Sequence, residues 1–574
     1  MNSVILVLIA IFGYLLAYRF YGRFLGRKVF KLSAGNLMPA HEFKDGVDFV
    51  PTKPNIIFGH HFTTIAGLGP IVGPAIGVIW GWLPAFLWVF LGSIFMGAVH
   101  DFSTLVISAR NRGRSIGELT AEIISPRTRY ALQFIMQLLL FIVLAVFAMI
   151  VGSLFVSYPE SVIPVWAQIP VAVWLGWKIR TGKNELIWSL VALLMLYAFV
   201  LIGVRFPVAL PWSNEVSVVV WCIVLFIYVF FASTLPVQKL LQPRDYINSH
   251  QLMVAMAFLI LGIFVAHPDF SAPAINESSF GPGSDVPDLA PVLFIIIACG
   301  AISGFHSLAS SGTTVKQVDN EMDTLPVGYG AMITESFLAV LVIVAAGAGL
   351  GMGLETDGGF LQGADAYRYH YASWSSANGL SAKLDAFIIG SANLFSALGV
   401  PVKYGAAFVV VFIVSFANTT LDSAARIQRI SLQEIFTRQN GTIRRPMNNR
   451  YLATALIVLA ASGMTFFKPG GQGAMVLWPL FGSLNQLMAA LALGVVTVYM
   501  ASKKMPVWYT MLPMLVILIL TLWAMFENLH GFIADGEWLL VGLSALILGL
   551  TAWLTVSSLF ALFRRMASKI SREP

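Results

Sequence analysis

The sequence has little charge. Only 11% of its 574 residues are Asp, Glu, Lys or Arg, whereas 58% are apolar, and an average soluble protein is about 25% charged. With a mean hydropathy of +0.80, the chain has too little polar surface to cover a soluble core of this size. This composition excludes a soluble enzyme, a nucleic-acid-binding domain and a disordered protein.

Cysteine is almost absent, since Cys222 and Cys299 are the only two and lie in separate apolar runs. They provide neither a disulfide framework nor a CxxC metal site. The sequence also lacks a phosphate-binding P-loop, an HExxH motif and a GxSxG motif. We therefore expect no ATP hydrolysis, no enzyme activity, no cofactor and no metal.

Long apolar runs make up most of the remaining sequence. A helix that crosses a bilayer needs about 20 apolar residues, and fifteen segments predict an all-α polytopic membrane protein with about 15 transmembrane helices. The segments are 3–20, 56–80, 82–108, 131–156, 162–179, 184–204, 216–235, 251–266, 289–312, 327–351, 404–425, 451–467, 474–500, 508–527 and 538–563. Basic residues follow the first segment instead of preceding it, so we expect a retained helix with its N-terminus outside.

The distribution of positive charge supports this count. With the N-terminus outside, 30 of the 35 Lys and Arg residues fall on the inner side, as the positive-inside rule requires. The five outer ones are Arg205, Arg368, Lys383, Lys403 and Lys468. Counting 384–400 as a further span would place the Arg-rich stretch 426–450 outside. We therefore predict that 384–400 lies on the outer face, within the loop 353–403, and that the C-terminus is cytoplasmic.

Two segments resemble each other in opposite orientations. The stretch GHHFTTIAG at 59–67 and the stretch GFHSLASSG at 304–312 share Gly, His and Gly at matching offsets. They are seven segments apart, so they cross the membrane in opposite directions, which is the signature of an inverted-repeat transporter.

Both segments are also predicted to be interrupted helices. The first carries Gly67, Gly69, Pro70, Gly73, Pro74 and Gly77, and the second carries Gly300, Gly304 and the run Ser310–Thr314. Glycine weakens a helix by about 1 kcal/mol and proline by about 3, and unwound backbone at membrane depth persists only beside a cavity. The ends of the half-helices would then favour a substrate carboxylate and a cation. The alternative is that the glycines only allow close helix packing.

Several motifs are similar to those of a known family. They are GHHFTTIAGLGPIVGP (59–74), DFSTLVISARNRGRSIGEL (101–119), LQPRDY (241–246), ACGAISGFHSLASSGTT (298–314), GYGAMITES (328–336), LDSAARIQR (421–429) and LWPLFGSLNQLMA (477–489). Together they resemble the carbon starvation protein A (CstA) family of bacterial inner-membrane transporters. The resemblance implies uptake of short peptides or pyruvate during carbon starvation, by proton symport in at least some members. It also implies a LeuT-type core of five-plus-five inverted repeats with peripheral helices.

The predicted organisation follows from this topology. The chain divides into a first helix and cytoplasmic linker (1–55), a first repeat with a peripheral helix (56–235), a connecting loop, extra helix and outer loop (236–288), a second repeat (289–500) that includes the outer hairpin 353–403, and two C-terminal peripheral helices with a tail (501–574).

The interrupted segments provide the predicted substrate site. His61 and His306 occupy equivalent places, and imidazole both titrates near neutral pH and donates hydrogen bonds to carboxylates. The substrate-binding candidates are His61, Thr64, Gly67, Gly69, His306, Ser310, Ser311 and Gly312, and the gate or structural candidates are Asp101, Pro70, Gly73, Pro74 and Gly304. The alternative is that both histidines are merely satisfied core residues. His60 should point about 100° away from His61 around the helix.

Three carboxylates lie within apolar spans, where ionisable groups usually serve a pathway or pair with a partner. The ion- or proton-coupling candidates are Asp422, Thr419, Thr420, Asn418 and Glu335, and the resemblance implies that the hydroxyl-bearing stretch before Asp422 faces the first interrupted helix. Alternatively, Asp422 pairs with Arg426 and Glu335 bonds a nearby hydroxyl. For Asp101 we expect a structural latch to an inner-loop arginine, with Arg110 the nearest in sequence.

These observations predict a secondary active importer of small carboxylate nutrients, coupled to a proton or sodium gradient. Its partners would be the small-molecule substrate and the lipid bilayer, with no nucleic acid, and the oligomeric state stays open. The alternatives are a membrane nutrient sensor without net transport and a channel.

Overall fold

The computed structural model describes residues 1–182, 184–377, 379–437 and 443–570, without the side chains of 380, 381 and 566–570. Lys183, Arg438, Lys569 and Arg572, which the sequence analysis places on the inner side, therefore lie wholly or in part outside the described structure.

Helices account for most of the described chain, because backbone groups at membrane depth must bond within their own segment. The α-helices are α1 (Ser3–Leu16), α2 (Pro39–Glu42), α3 (Pro54–Ile65), α4 (Gly69–Gly77), α5 (Trp82–Gly92), α6 (Ala98–Arg110), α7 (Ile116–Ile123), α8 (Thr128–Ser157), α9 (Val162–Arg180), α10 (Glu185–Arg205), α11 (Asn214–Thr234), α12 (Leu241–Ala266), α13 (Leu289–Ile296), α14 (Gly304–Gly312), α15 (Ala331–Val344), α16 (Gly363–His370), α17 (Trp374–Ala377), α18 (Leu380–Ser396), α19 (Val402–Ile435), α20 (Arg450–Phe466), α21 (Gly473–Val476), α22 (Trp478–Ser502), α23 (Trp508–Ala534) and α24 (Trp538–Ile570).

Shorter helical turns extend or connect these elements. The π-helical turns are Ala17–Gly22, Leu25–Val29, Ser93–Gly97, Leu325–Gly330 and Ala345–Gly349, and the 3₁₀ turns are Val78–Trp80, Pro159–Ser161, Glu277–Phe280, Thr314–Lys316, Glu321–Asp323, Leu350–Met352 and Pro469–Gly471. One small antiparallel hairpin, formed by β1 (Leu354–Thr356) and β2 (Gly359–Leu361), departs from the all-α expectation.

Within the described residues, twelve helices are long and apolar enough to cross a membrane, or thirteen if the bent pair α3–α4 is one span. The predicted count was fifteen. The two remaining predicted segments are also helical, but α20 has only 17 residues, and 289–312 consists of the short helices α13 and α14. The protein is thus a helical polytopic membrane protein with 12–13 candidate spans.

Burial separates a central group of helices from a peripheral one. The spans that contain α8, α15, α19 and α22 are buried over most of their apolar length, whereas α1 and α24 are buried over only 28% of theirs. Large apolar side chains on the peripheral helices are exposed, such as Phe12 on α1 and Phe560 on α24. Lipid is the natural partner for this apolar surface.

The stretch 353–403 folds as a cap at one end of the bundle. It holds β1, β2 and the helices α16, α17 and α18. We call this end of the molecule the hairpin side. From there α19 runs for 34 residues, which is about 51 Å at 1.5 Å per residue, to the opposite end, which we call the basic side because Arg426 and Arg429 lie there.

Candidate functional site

Both segments with repeated glycines are interrupted. In the first, α3 ends at Ile65 and α4 begins at Gly69, with an angle of 48° between the two halves. In the second, α13 ends at Ile296 and α14 begins at Gly304, so seven residues between them are not helical. Both segments are therefore interrupted, as predicted. In the second segment the break lies at 297–303, and the part of the predicted run from Ser310 to Gly312 is helical.

The two interruptions lie against each other. A Cβ atom on Gly69 would overlap the Sγ atom of Cys299, and one on Gly73 would overlap the carbonyl oxygen of Ile296. Glycine is required at both positions because only a residue without a Cβ allows α4 to approach the unwound stretch this closely.

A cavity of about 410 Å³ opens on the hairpin side and reaches these interruptions. Its lining includes Gly69, Gly73 and Cys299, together with Trp374 from α17 and Lys383 from α18. This volume is within the range of small-molecule sites. We call it the hairpin-side cavity.

The first turn of α14 is held by Asn485 on α22. The side-chain oxygen of Asn485 accepts hydrogen bonds from the amide of Phe305 at 2.9 Å and from the hydroxyl of Ser303 at 3.1 Å. Gly304 brings the α14 backbone into contact with α22, where a Cβ would meet the Asn485 carbonyl. The Phe305 amide is therefore already bonded within the protein and does not point to a ligand.

Four titratable side chains meet where α6, α14 and α15 pack together, and we call them the His306 cluster. They are His100, Asp101, His306 and Glu335, and each is fully buried. Asp101 lies 2.8 Å from Nδ1 of His100 and 2.8 Å from Nδ1 of His306. On the other edge of its ring, Nε2 of His306 lies 3.4 Å from Oε2 of Glu335, within ion-pair distance but without a hydrogen bond. Among the described residues, no lysine or arginine pairs with any member.

This geometry suits the binding of one exchangeable proton. Each Nδ1 faces an Asp101 oxygen, so with Asp101 ionised each imidazole donates its Nδ1 proton to that carboxylate. Nε2 of His306 then faces Glu335 either as the neutral imidazole beside a protonated carboxyl or as imidazolium beside a carboxylate. Without that proton, a nitrogen lone pair would face a carboxylate oxygen away from water, which is unfavourable.

A second buried group, which we call the Arg244 cluster, links α3, α11, α12 and α19. Its members are His60, Tyr228, Arg244, Asp245 and Asp422, of which the four other than Tyr228 are at most 2% exposed. Arg244 binds Asp422 and donates to the Tyr228 hydroxyl, which in turn donates to Asp422 at 2.7 Å. On its other side Nη2 of Arg244 lies 3.7 Å from Asp245, and Nδ1 of His60 lies 2.5 Å from Asp245. A permanent guanidinium charge therefore compensates two carboxylates.

The predicted hydroxyl-bearing stretch of α19 does face the first interruption. Thr420 donates to the carbonyl oxygen of Thr64 at 3.4 Å, and the Thr64 and Ser423 hydroxyls are 3.2 Å apart. A Cβ on Gly67 would lie 2.5 Å from the Thr420 hydroxyl. Oxygen atoms from α3 and α19 thus converge beside the break.

The other residues of that stretch are directed elsewhere. The hydroxyl of Thr419 accepts a hydrogen bond from Asn248 at 2.7 Å, Asp422 belongs to the Arg244 cluster, and Asn418 is buried with its Oδ1 atom unbonded. The predicted coupling residues therefore occupy different environments.

The remaining substrate-binding candidates are buried beside the interruptions. Nδ1 of His61 is hydrogen-bonded to the Thr314 hydroxyl at 2.9 Å, and its Nε2 atom has no hydrogen-bond partner. Ser310 is also unbonded. Ser311 instead accepts from the Ile116 amide at 3.1 Å at the start of α7, and the Gly312 carbonyl accepts from Lys316 at 2.7 Å. The gate candidate Pro74 lies inside α4, and Pro70 begins it.

Ion pairs join the linker before α3 to α19 on the basic side. Asp48, in the linker before α3, lies 2.6 Å from Nη1 of Arg426 and 3.1 Å from Nη2 of Arg429. Burial acts to raise the pKa of Asp48, but Arg429 and Arg426 outweigh it and hold the pKa well below its usual value. Hence the carboxylate stays ionised and the linker stays fastened to the end of α19 at physiological pH.

Two ion pairs that the sequence suggested, one for Asp422 and one for Asp101, are not formed in the structure. Arg426 binds Asp48, so it is not the ion-pair partner of Asp422, which binds Arg244. Arg110 binds Glu321 at 2.6 Å, so the expected latch between an inner-loop arginine and Asp101 is replaced by the two histidines. Asp422 and Arg110 are each bound by residues distant in sequence, whereas Asp101 is bound by its neighbour His100 and by the distant His306.

Sequence reasoning did not identify Arg244, Asp245, Tyr228 and Asn485 as pairing partners, and it did not select His60 or His100 as site residues. A signal was available for some of them, since Arg244 and Asp245 lie in the motif LQPRDY and Asn485 lies in LWPLFGSLNQLMA. Their contacts depend on packing between helices far apart in the chain, which no local pattern contains.

Comparison with known proteins identifies relatives over most of the chain. The model of the carbon starvation protein CstA family matches residues 2–524. The chain is 32% identical over 579 residues to the peptide transporter CstA of Campylobacter jejuni, covering 92% of this chain and 81% of that protein. It is 31% identical over 548 residues to the peptide transporter CstA of Bacillus subtilis (90% and 88%). It is also 32% identical over 586 residues to the pyruvate/proton symporter BtsT of Escherichia coli (91% and 81%).

The solved structures that match the chain are more distant. One is a mutant of the Eremococcus coleocola manganese transporter, with a TM-score of 0.45 at 13% identity over 90% of this chain and 99% of that one. Another is MhsT in complex with L-phenylalanine, with a TM-score of 0.47 at 14% identity over 82% of this chain and 98% of that one. The sequence relatives are transporters rather than enzymes, and the chain belongs to the carbon starvation protein CstA family.

Proposed function

We propose that this protein is a proton-coupled secondary transporter that imports small carboxylate nutrients, pyruvate or short peptides, across the bacterial inner membrane. The observation that carries the proposal is a cavity that ends at two interrupted helices, next to a buried cluster of imidazoles and carboxylates. Peptide transport and pyruvate/proton symport are the activities named for the relatives.

The hairpin-side cavity is the proposed entrance. Its floor contains Gly69 and Cys299 from the two interruptions. His61 and Ser310, which have unbonded polar atoms, are buried outside this lining. A substrate would reach them only after it moves beyond the cavity. The distribution of lysine and arginine supports the assignment of the hairpin side to the outside and the basic side to the cytoplasm.

The His306 cluster is the proposed proton site. Its members have no permanent cation beside them, so the His306–Glu335 pair gains or loses a proton without breaking an ion pair to arginine. The cluster is also near the cavity, since Gly300 packs against Ala339, one turn of α15 beyond Glu335. Protonation of the cluster and the state of the second interruption are therefore mechanically linked.

Asp422 remains a predicted coupling residue, but its environment favours it less. Arg244 and Tyr228 both bind Oδ2 of Asp422, and the positive charge of Arg244 stabilises the ionised carboxylate against protonation. A sodium ion would instead use the oxygens of Thr64, Thr420 and Ser423 beside Gly67, an arrangement that suits a hard cation. The experiment below distinguishes the two ions.

We further propose that residues 56–235 and 289–500 are the two inverted repeats. Alternating access then requires the basic side to open when the hairpin side closes. In this structure Asp48 and its two arginines fasten the basic side, while the cavity reaches the interruptions from the hairpin side. This combination is the outward-facing state of the proposed cycle.

Uptake into proteoliposomes tests the function. The purified full chain is reconstituted, and labelled pyruvate and labelled dialanine are added with an inward proton gradient, an inward sodium gradient or no gradient. We expect accumulation above equilibrium with the proton gradient alone, and an ionophore that collapses the gradient should abolish it.

Other outcomes would contradict the proposal in distinct ways. Accumulation driven only by sodium would move the coupling site to Thr64 and Thr420. Equilibration without accumulation would indicate a channel. Saturable binding with no flux would indicate a nutrient sensor.

A further inference from the structure

The hairpin-side cavity contains one basic side chain, Lys383 on α18. Lys383 is only 5% exposed. Among the described residues its ammonium has no carboxylate within ion-pair distance and no hydrogen-bond acceptor, and its one polar contact is with the ring of Trp478, whose centre lies 5.9 Å from Nζ. A buried ammonium without an anion is energetically costly.

The remaining lining does not supply that anion. It is largely apolar and aromatic, with Trp374 and Trp478 among its walls. The acidic residue of the lining, Glu527 on α23, is exposed and accepts a hydrogen bond from Trp523 at 3.2 Å. Asp385, two residues along α18, instead accepts from the Tyr158 hydroxyl at 2.7 Å.

The position of Lys383 is fixed by the packing of its helix. Gly349 and Gly390 bring α18 against the backbone of the π-helical turn Ala345–Gly349, so closely that a Cβ on either glycine would overlap a carbonyl oxygen. α18 also packs against α4, the second half of the first interrupted segment. Lys383 is therefore held at the cavity and is not a mobile surface lysine.

We propose that Lys383 is the carboxylate-binding residue of the hairpin-side cavity, and that it holds the substrate's carboxylate before the substrate reaches the two interruptions. This inference rests on the proposed function and specifies its substrate chemistry. A single ammonium among apolar and aromatic walls matches a ligand with one negative charge and a small organic body. A phosphate group would instead call for several donors or for the forked geometry of arginine.

Titration of Lys383 gives the site a pH dependence. Burial lowers the pKa of Lys383 to about 8, so its ammonium loses its proton as the pH on the hairpin side rises through that value. Affinity for a carboxylate should fall in the same range. The other titratable groups of the lining are Cys299 and Glu527.

Cys299 provides a native reporter of the charge in the cavity. It is partly exposed there, whereas Cys222, the only other cysteine, is fully buried. Small membrane-impermeant methanethiosulfonates should therefore modify Cys299 alone, and Cys299→Ser gives the background. The rate with an anionic sulfonate reagent is compared with the rate with a cationic trimethylammonium reagent.

The comparison uses the purified full chain and four forms of it: wild type, Lys383→Gln, Lys383→Arg and Lys403→Gln. Lys403 is an exposed lysine at the start of α19 and serves as the matched control. We expect the anionic-to-cationic rate ratio to fall about fivefold to tenfold in Lys383→Gln and to be retained in the other two variants. Lys383→Met replaces Lys383→Gln if the latter does not fold.

Protection of Cys299 then tests the ligand. Pyruvate and dialanine should protect the thiol, whereas pyruvamide, which lacks the carboxylate, should not. In Lys383→Gln the concentration for half-protection should rise about tenfold to a hundredfold, the loss expected for one charged hydrogen bond. In the wild type it should rise between about pH 7 and pH 9, where the ammonium of Lys383 loses its proton, and in Lys383→Arg it should stay constant.

This assay needs binding only, so its failure differs from failure of the transport proposal. Lys383-dependent protection without uptake in proteoliposomes would support the cavity assignment and contradict the importer. An unchanged rate ratio together with unchanged half-protection in Lys383→Gln would overturn the inference, as would equal protection by pyruvamide.

Discussion

The two buried charge clusters lie in the same bundle and are equally shielded from water, but they differ in one component. The Arg244 cluster contains a guanidinium that is always charged, and Asp422 and Asp245 are arranged around it. The His306 cluster contains only imidazoles and carboxylates. Imidazoles and carboxylates gain or lose a proton as the pH changes, whereas the guanidinium of arginine stays charged.

This difference separates a fixed structural element from a switchable one. In the Arg244 cluster, removal of one charge leaves its partner buried and uncompensated, so the arrangement is stable only as a unit. In the His306 cluster, a proton that leaves His306 or Glu335 changes the charge without removing a side chain. A transporter needs both, because one region must hold the helices together while another responds to the gradient.

The largest expected effect is on the fixed element. Arg244→Met should lower the free energy of unfolding by about 3–5 kcal/mol, because Asp422 loses its counter-charge in a dry environment. Reversible unfolding by SDS in mixed micelles measures this change. The double variant Arg244→Met with Asp422→Asn should recover most of the loss, and a double variant as unstable as the single one would show that the two residues are not energetically paired.

Glu335→Gln tests whether the His306 cluster binds the coupling proton. The glutamine amide permanently donates to Nε2 of His306 and so imitates the protonated pair. We expect proton-driven accumulation of substrate to fall about a hundredfold, equivalent to about 2.7 kcal/mol, while exchange of labelled for unlabelled substrate continues and stability changes little.

Glu355→Gln is the control for that variant, since Glu355 is an exposed carboxylate in β1 on the hairpin side. Wild-type accumulation in Glu335→Gln would place the proton site elsewhere. Loss of both accumulation and exchange would indicate a structural role for Glu335 and would erase the distinction between the clusters.

The smallest expected effect concerns His60, the titratable imidazole of the Arg244 cluster. His60→Gln keeps a hydrogen-bond donor for Asp245, and Arg244 remains near that carboxylate. The free energy of unfolding should therefore fall by only about 1–2 kcal/mol. Proton-coupled uptake should persist. The same SDS assay and gradient-driven uptake measure both, with the exposed His530 changed to Gln as the control. Loss of coupling in His60→Gln would mean that the Arg244 cluster also responds to protons.

The sequence predicted the two interruptions because their cause is local. Glycine and proline weaken a helix wherever it packs, so Gly67, Gly69 and Pro70 indicated the first break without tertiary information. The resemblance implied that the stretch with Thr420 faces that break, and in the structure Thr420 does face it. The partners of the buried carboxylates were not predictable, since Asp422 and Arg244 are 178 residues apart.

The span count shows the same limit. Hydropathy identified fifteen apolar segments, and twelve of them are long apolar helices. α20 has fewer residues than a full span, and 289–312 divides into two short helices. Composition measures the tendency to enter a membrane, but the length of continuous helix depends on where the backbone bends, which the neighbouring helices decide.

By itself the sequence determined that the chain is a polytopic membrane protein and that two of its segments are interrupted, because these properties depend on the apolar content and the backbone preferences of single residues. Only the tertiary structure decided which charges meet, why Asp101 is bound to two histidines while Asp422 is bound to an arginine, and why Lys383 is left in a cavity without an anion. Charges at membrane depth require a partner, and distance in the folded bundle, not position along the chain, selects it.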